Sequence, residues 1–299
     1  MRITPNITSQ NSLYNLQNSR TLLDQINEKI ATGKNYNRPS DDPIAARQLV
    51  NFADQLREGE QYSANMTKAN TWLKVTETAL EGMSATLSEI KKLTSTLTNG
   101  TDITAVRQNA VSQLQTYKQQ LIDYGNTQLD NRYVFAGTNN ATTAPFSGST
   151  FSGNDASINI ELNSSSTQAI NITGGRVLKG TNGVPHQYGS TDILTELDNL
   201  ITAVNTNNTA NIEAGALKME DGANQIENAI ADVGGRLTRI DTMQQFNTTT
   251  KSVIQGVVAN LQNADYTKLA VELQQQQLAF EATLSTTAKV SQMSLLDYL

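Results

Sequence analysis

At 299 residues, with a formal net charge of -6, no cysteine and a single histidine, the chain is long enough for one or two buried cores but excludes disulfides, thiolate metal sites and cysteine nucleophiles. Its mild acidity, with no clustered Lys or Arg, argues against a nucleic-acid partner, because phosphate binding needs concentrated positive charge. Aromatics at 5% and charged residues at 17%, with Asn, Gln, Ser and Thr between evenly spaced aliphatic residues, suit helix faces better than one thick globular core.

The opening Met1-Arg2-Ile3-Thr4-Pro5-Asn6 leads into polar residues rather than a hydrophobic secretion core. No stretch approaches the roughly 20 apolar residues of a membrane span, so a route out of the cell would have to be another one. Residues 1–32 carry Leu13, Leu16, Leu23, Ile26 and Ile30 as a narrow apolar stripe. A lone helix with so thin a stripe is marginal in water and needs a partner. The run from Gly33 to Pro43 then reads as a linker, with Gly33 suited to a helix C-cap, Asp42 to an N-cap and Pro43 to a first helical turn. Ser40, Asp41 and Asp42 offer too few ligands for a hard cation, and capping is the preferred reading.

The only prolines are Pro5, Pro39, Pro43, Pro145 and Pro185, which leaves 44–144 and 186–299 free of helix breakers. In the first stretch Met66, Leu73, Leu80 and Leu87 form a seven-residue row beside Ala69, Thr76, Met83, Ile90 and Leu97. Trp72 adjoins that row and is expected to pack at a helix interface. Asn99-Gly100 supplies a stop, after which Ile103, Ala110, Tyr117 and Tyr124, beside Leu114 and Leu121, predict an antiparallel return helix running into Tyr133-Val134-Phe135. Residues 137–190 are rich in Gly, Ser, Thr and Asn, and the alternation over 157–162 and 168–172 predicts a small β insert. His186 sits there in a turn-rich run and is read as a solvated loop residue. Beyond it Met219, Ile226, Val233 and Ile240 run beside Ala216, Ala223, Ile230 and Leu237, a further coiled-coil signal. The last stripe comprises Leu269, Leu273, Phe280, Leu284, Val290 and Leu295.

Chemistry finds little footing in this pattern. There is no phosphate-cradling glycine loop and no histidine pair for zinc, and Ser-His-Asp catalysis is improbable with one loop histidine. Carboxylate pairs such as Asp41 with Asp42, or Glu220 with Asp221, fall on caps or solvated faces without a sugar-binding aromatic platform. No enzymatic activity, cofactor or metal is expected. A carbohydrate-binding or carbohydrate-active insert over 140–190 is the reading from another class.

The segment Ala31-Thr32-Gly33-Lys34 through Arg38-Pro39-Ser40-Asp41-Asp42-Pro43-Ile44-Ala45-Ala46 resembles the amino-terminal signature of bacterial flagellins and their hook-associated relatives. Val233-Gly234-Gly235-Arg236-Leu237-Thr238-Arg239-Ile240 is similar to the family's carboxyl-side helix motif, and Tyr133-Val134-Phe135-Ala136-Gly137-Thr138 with Pro145-Phe146 to the entry into an outer domain. Met1-Arg2-Ile3-Thr4 and the last twelve residues resemble the hook–filament junction branch of the family more than filament flagellin. The likeness covers roughly 1–146 and 192–299, while the insert departs from it.

The resemblance implies a mainly α protein, a long coiled-coil helical hairpin built from both chain ends with a small β-rich outer insert. Terminal helices 1–43 and 256–299 would form an inner core, 44–136 and 191–255 a helical rod, and 137–190 the insert. It further implies an extracellular structural subunit of the flagellum, exported through the type III apparatus without a cleaved signal. Its role would be an adaptor between hook and filament that templates flagellin assembly, the alternative being a bulk filament flagellin. The expected partners are further copies in a ring or tube, a neighbouring hook-associated protein, flagellin and an export chaperone. Leu13, Leu16, Leu23, Ile26, Ile30, Leu269, Leu273, Phe280, Leu284 and Leu295 are the expected assembly residues.

Overall fold

The computed structural model describes residues 5–98, 104–139, 143–180 and 188–296. Asn99-Gly100, Ile103 and His186 lie outside them. Among the described residues seven helices and six short strands follow in order: α1 (Pro5–Thr32), α2 (Pro43–Thr98), α3 (Thr104–Gly125), β1 (Gln128–Leu129), β2 (Arg132–Tyr133), β3 (Phe146–Ser147), β4 (Thr150–Phe151), β5 (Asn159–Asn163), β6 (Ser166–Ala169), α4 (Gly174–Val177), α5 (Ile193–Asn205), α6 (Thr209–Gln262) and α7 (Tyr266–Leu296). The fold is mainly α, and the chain divides into two compact units, Met1–Glu58 with Thr249–Leu299, and Gly59–Thr248.

In the central unit, Gly59–Thr248, the heptad rows become the core. Met66, Leu73, Leu80 and Leu87, with Ala69, Thr76, Met83 and Ile90, are buried on α2, and Met219, Ile226, Val233 and Ile240 are buried on α6. Leu114 and Leu121 of α3 and Leu194, Leu197, Leu200 and Val204 of α5 complete the same cluster. Trp72 joins it as well. Thr76 is tolerated in the apolar row because its hydroxyl donates to the Trp72 carbonyl at 2.8 Å. Close approach of α5 to α6 depends on two glycines: a Cβ at Gly222 would lie 2.9 Å from Ile193 Cγ1, and one at Gly215 2.9 Å from Leu200 Cδ1.

The return helix ends earlier than the sequence pattern predicts. It stops at Gly125, and Tyr133 belongs to β2, antiparallel to β1. The reason is local: Asp130 and Asn131 both take positive φ, 52° and 60°, the backbone of a two-residue hairpin turn that short polar side chains tolerate. Among the described residues the strands form three separate two-stranded antiparallel ribbons, of which β1–β2 precedes the insert and β3–β4 and β5–β6 lie within it. β5 overlaps the first alternating stretch and β6 meets the second only at Gln168 and Ala169, while Phe146 of β3 and Phe151 of β4 pack their rings 5.2 Å apart.

An ion-pair node ties α3 to α5. Lys118 Nζ donates to both carboxylate oxygens of Asp198, at 2.6 and 2.8 Å, and Ser149 Oγ donates to Asp198 at 2.7 Å. Lys179 bonds the Ser149 carbonyl and Asp192. Partial burial pushes the Asp198 carboxyl up, but the hydrogen bonds from Lys118 and Ser149 outweigh it and hold the group below the usual carboxylate range. A carboxyl depressed in the folded state adds stability above its unfolded pKa, and that contribution disappears as pH falls through the lower folded value. Asp198→Asn is therefore expected to melt below the parent at pH 7, with the gap closing under roughly pH 4, the unperturbed carboxylate range. Thermal melts across pH 2–7 check this, and a gap that persists undiminished at the acid end would overturn it.

Candidate assembly interface

The terminal unit, Met1–Glu58 with Thr249–Leu299, is built on the pairing of α1 with α7. Gly33 ends α1 with φ +68°, the left-handed conformation of a helix C-cap, and its N–H donates to the Lys29 carbonyl at 2.9 Å. The chain then crosses to the opposite end of the sequence. Asn35 N donates to Gln262 O at 2.8 Å, Ala264 N to Gly33 O at 2.9 Å, and Lys34 bridges antiparallel to Asn263. Asp265 caps α7, its Oδ1 accepting from Thr267 N and Lys268 N at 2.9 and 3.2 Å.

The linker carboxylates are both committed to backbone amides. Asp42 Oδ1 accepts from Ile44 N and Ala45 N at 3.0 Å each, which makes it the N-cap of α2, with Pro43 in the first turn. Asp41 Oδ2 accepts from Arg38 N at 2.9 Å and Asn37 N at 3.1 Å. The Arg38 amide is the main cause that holds the Asp41 carboxyl below the usual range. Among the described residues no group of three His, Cys, Asp or Glu side chains is placed to hold a metal ion.

The sequence-derived residues separate into three classes. Leu16, Leu23, Ile26, Ile30, Leu273 and Phe280 are half-buried, and Leu269 is buried. Leu13 and Leu284 point outward, 52% and 45% exposed. Leu295 lies on α7 with its side chain outside the described residues. On α1 the buried and half-buried positions follow three- and four-residue steps through Ser12, Leu16, Ser19, Leu23, Ile26 and Ile30, and on α7 through Leu269, Leu273, Gln276, Phe280, Thr283 and Thr287. Gln276 Nε2 donates to the carbonyl of Ser19 at 3.1 Å and to its hydroxyl at 3.0 Å.

Sequence reading passed over a second apolar set. Ile7, Tyr14 and Leu22 on α1, Ile44 and Val50 on α2, Val253 and Val257 on α6, and Val271 and Leu278 on α7 are all exposed. At 100° per residue Ile7, Tyr14 and Leu22 fall within one narrow arc away from the α7-facing stripe. The available signal was their very displacement from the stripe, since apolar residues off the seam serve no purpose in a two-helix pairing. Leu49, Val50, Ala53 and Leu56 of α2 line an apolar groove of about 290 Å³ with Val258 and Gln262 of α6. Exposed apolar side chains on four helices of this unit, with the groove between α2 and α6, make it the candidate for an interaction face. Among the described residues no helix is long and apolar enough to cross a membrane.

Residues 3–140 match the bacterial flagellin N-terminal helical region. The flagellar hook-associated protein 3 of Salmonella typhimurium is 26% identical over 313 aligned positions, which take in 99% of this chain and 98% of that one. A flagellar hook-associated protein of Vibrio parahaemolyticus shares the fold with a TM-score of 0.67 at 23% identity, over 75% of this chain and all of the other. The flagellar junction protein FlgL of Legionella pneumophila superimposes with a TM-score of 0.56 at 15% identity, over 72% of this chain and 99% of its own.

Proposed function

We propose that this protein, whose residues 3–140 match the bacterial flagellin N-terminal helical region and which is similar over 99% of its length to a flagellar hook-associated protein 3, is a structural, non-catalytic subunit of the bacterial flagellum that joins hook to filament. The observation that carries the reading is the terminal unit, which pairs α1 with α7 yet leaves aliphatic side chains of four helices bare. Such a unit is completed by neighbours, and burial at about 25 cal/mol per Å² supplies the driving force.

In this reading residues 1–43 and 256–299 form the inner assembly layer, 44–136 and 191–255 the rod, and 137–190 an outer insert. Copies close into a ring, resting on a neighbouring hook-associated protein and templating flagellin on the far side. The chain leaves the cell through the flagellar type III apparatus without a cleaved signal, escorted by an export chaperone. Leu13, Leu16, Leu23, Ile26, Ile30, Leu269, Leu273, Phe280, Leu284 and Leu295 are assigned to assembly. A bulk filament flagellin is the competing reading, in which the contact does not close and propagates indefinitely.

Deletion of the gene, followed by electron microscopy and assay of the medium for flagellin, separates the two. Hooks without filaments and flagellin released outside are expected for a junction subunit. Complete absence of filament protein would favour bulk flagellin, and normal swimming filaments would remove the assignment altogether.

A further inference from the structure

A glycine inside a helix is less stable there than alanine, because it loses more backbone freedom on folding, so its presence needs a reason. Elsewhere in the central unit that reason is packing. A Cβ at Gly59 would lie 3.0 Å from Asn247 Oδ1, one at Gly82 2.5 Å from Tyr124 Cζ, and those at Gly215 and Gly222 2.9 Å from Leu200 Cδ1 and Ile193 Cγ1. Gly234 and Gly235 on α6 differ. A Cβ at either position would meet nothing within 4 Å, although the helix runs unbroken from Thr209 to Gln262. Nor is there an apolar anchor beside them for a partner to grip, since the nearest large apolar residues exposed on α6 are Leu217 and Phe246, each several turns away.

The residues that follow point to backbone freedom instead. Thr238, one turn on, donates its hydroxyl to the Gly234 carbonyl at 2.9 Å, and Thr242, a turn further, donates to the Thr238 carbonyl at 2.8 Å. Both threonines are exposed, and at 100° per residue they share the outer face of α6 with the two glycines. A helical carbonyl that also accepts a hydroxyl divides its bonding with the amide four residues on, and such back-bonding bends helices. On the opposite side Val233, Arg236 and Ile240 are buried, and Arg236 is tied to the carbonyls of Ala169 and Asn171. One face of this stretch is therefore fixed to the core, while the other carries two positions without side chains and two carbonyls with a second donor.

We infer that residues 234–242 are a compliant segment of α6, at which the helix curves around its fixed face without unpacking it. Helices bend where small residues or a polar side chain disturb the hydrogen-bond ladder, and this segment has both on one side. In the assembly role proposed above, such a segment lets a copy deform while its central core stays packed. That consequence rests on the proposed role, whereas the segment itself concerns the chain alone.

Hydrogen exchange along α6 of the full purified chain tests it. Amides of 235–242 are expected to exchange faster than those of 219–226, the turns around the packed Gly222. Gly234→Ala with Gly235→Ala is expected to slow 235–242 by roughly 20-fold, about four- to five-fold for each glycine, to change 219–226 far less, and to raise the central melting temperature. Gly222→Ala meets Ile193 and is expected to lower it. Equal slowing in both stretches would overturn the segment, because the alanines would then act on global stability only. Parental exchange no faster in 235–242 than in 219–226 would overturn it too, as would a higher melting temperature for Gly222→Ala, which would erase the contrast between packed and open glycines. These are measurements on the chain by itself, so a compliant segment in a protein whose deletion leaves filaments intact would be retained and the junction role discarded.

Discussion

Leu23→Asp combined with Phe280→Asp is expected to leave a folded chain that never enters the flagellum. Both side chains are half-buried where α1 faces α7, so the substitution removes apolar burial worth about 1 kcal/mol per residue within the chain, half of a full side-chain burial. It also sets two carboxylates in a seam that holds no cation at those positions, and an unpaired charge there costs several kcal/mol more or opens the hairpin to water. In the proposed ring the contact is repeated around every copy, so the loss compounds with subunit number. The core of the central unit contains neither residue, and its melting transition should therefore stay in place. Sedimentation velocity and complementation of a deletion strain check both halves of the expectation. Normal incorporation would remove Leu23 and Phe280 from the assembly surface, and a collapsed central melt would mean that the substitution acts on folding.

The largest effect on the central unit is expected at Arg236. This guanidinium is 5% exposed on α6 and donates from Nη1 to the carbonyls of Ala169 and Asn171, at 3.1 and 3.0 Å, and from Nη2 to Asp232 at 2.7 Å. Tyr188 Oη donates to the same carboxylate at 2.6 Å, and burial together with that bond pushes the tyrosine hydroxyl up. Arg236 thereby fastens the end of the β5–β6 ribbon to the helix behind it. Arg236→Met keeps most of the aliphatic volume but leaves the mostly buried Asp232 carboxylate without this cation, with Tyr188 still donating to it, and takes a hydrogen bond from each of two carbonyls, a loss of roughly 3–5 kcal/mol for a broken buried pair. In a unit of this size that lowers the melting temperature by about 6–20 °C. Arg239, which is exposed and donates to Ser166 Oγ at 2.9 Å, is the control: Arg239→Met should cost about 0.5 kcal/mol or less, as exposed substitutions do. Equal shifts in the two variants would show that charge on this helix, rather than the buried clamp, is what matters.

The Arg236 result also shows where reading a sequence reaches its limit. The residue stood inside a motif that resembles the flagellin family, yet nothing nearby in the chain marks it as buried, because its carbonyl partners lie 65 and 67 positions earlier. Ser19 and Gln276 are 257 positions apart and read as ordinary polar residues of two weak stripes. The β1–β2 hairpin was within reach, since Asp130-Asn131 is a pair that accepts positive φ, but the helical rhythm of Leu114, Leu121 and Tyr124 carried the predicted helix past Gly125.

What the sequence determined by itself is everything written in local repetition. Heptads at Met66, Leu73, Leu80 and Leu87 and at Met219, Ile226, Val233 and Ile240 prescribe buried helix faces, and Gly33, Asp42 and Pro43 prescribe where helices stop and start, because period and capping depend on residues a turn or two apart. The tertiary structure alone decided which apolar residues remain bare, which polar ones are sealed in the seam, and which helix anchors each ribbon. Those outcomes depend on what the rest of the chain brings alongside, and a side chain carries no sign of its distant partner until backbone pairing removes water from between them.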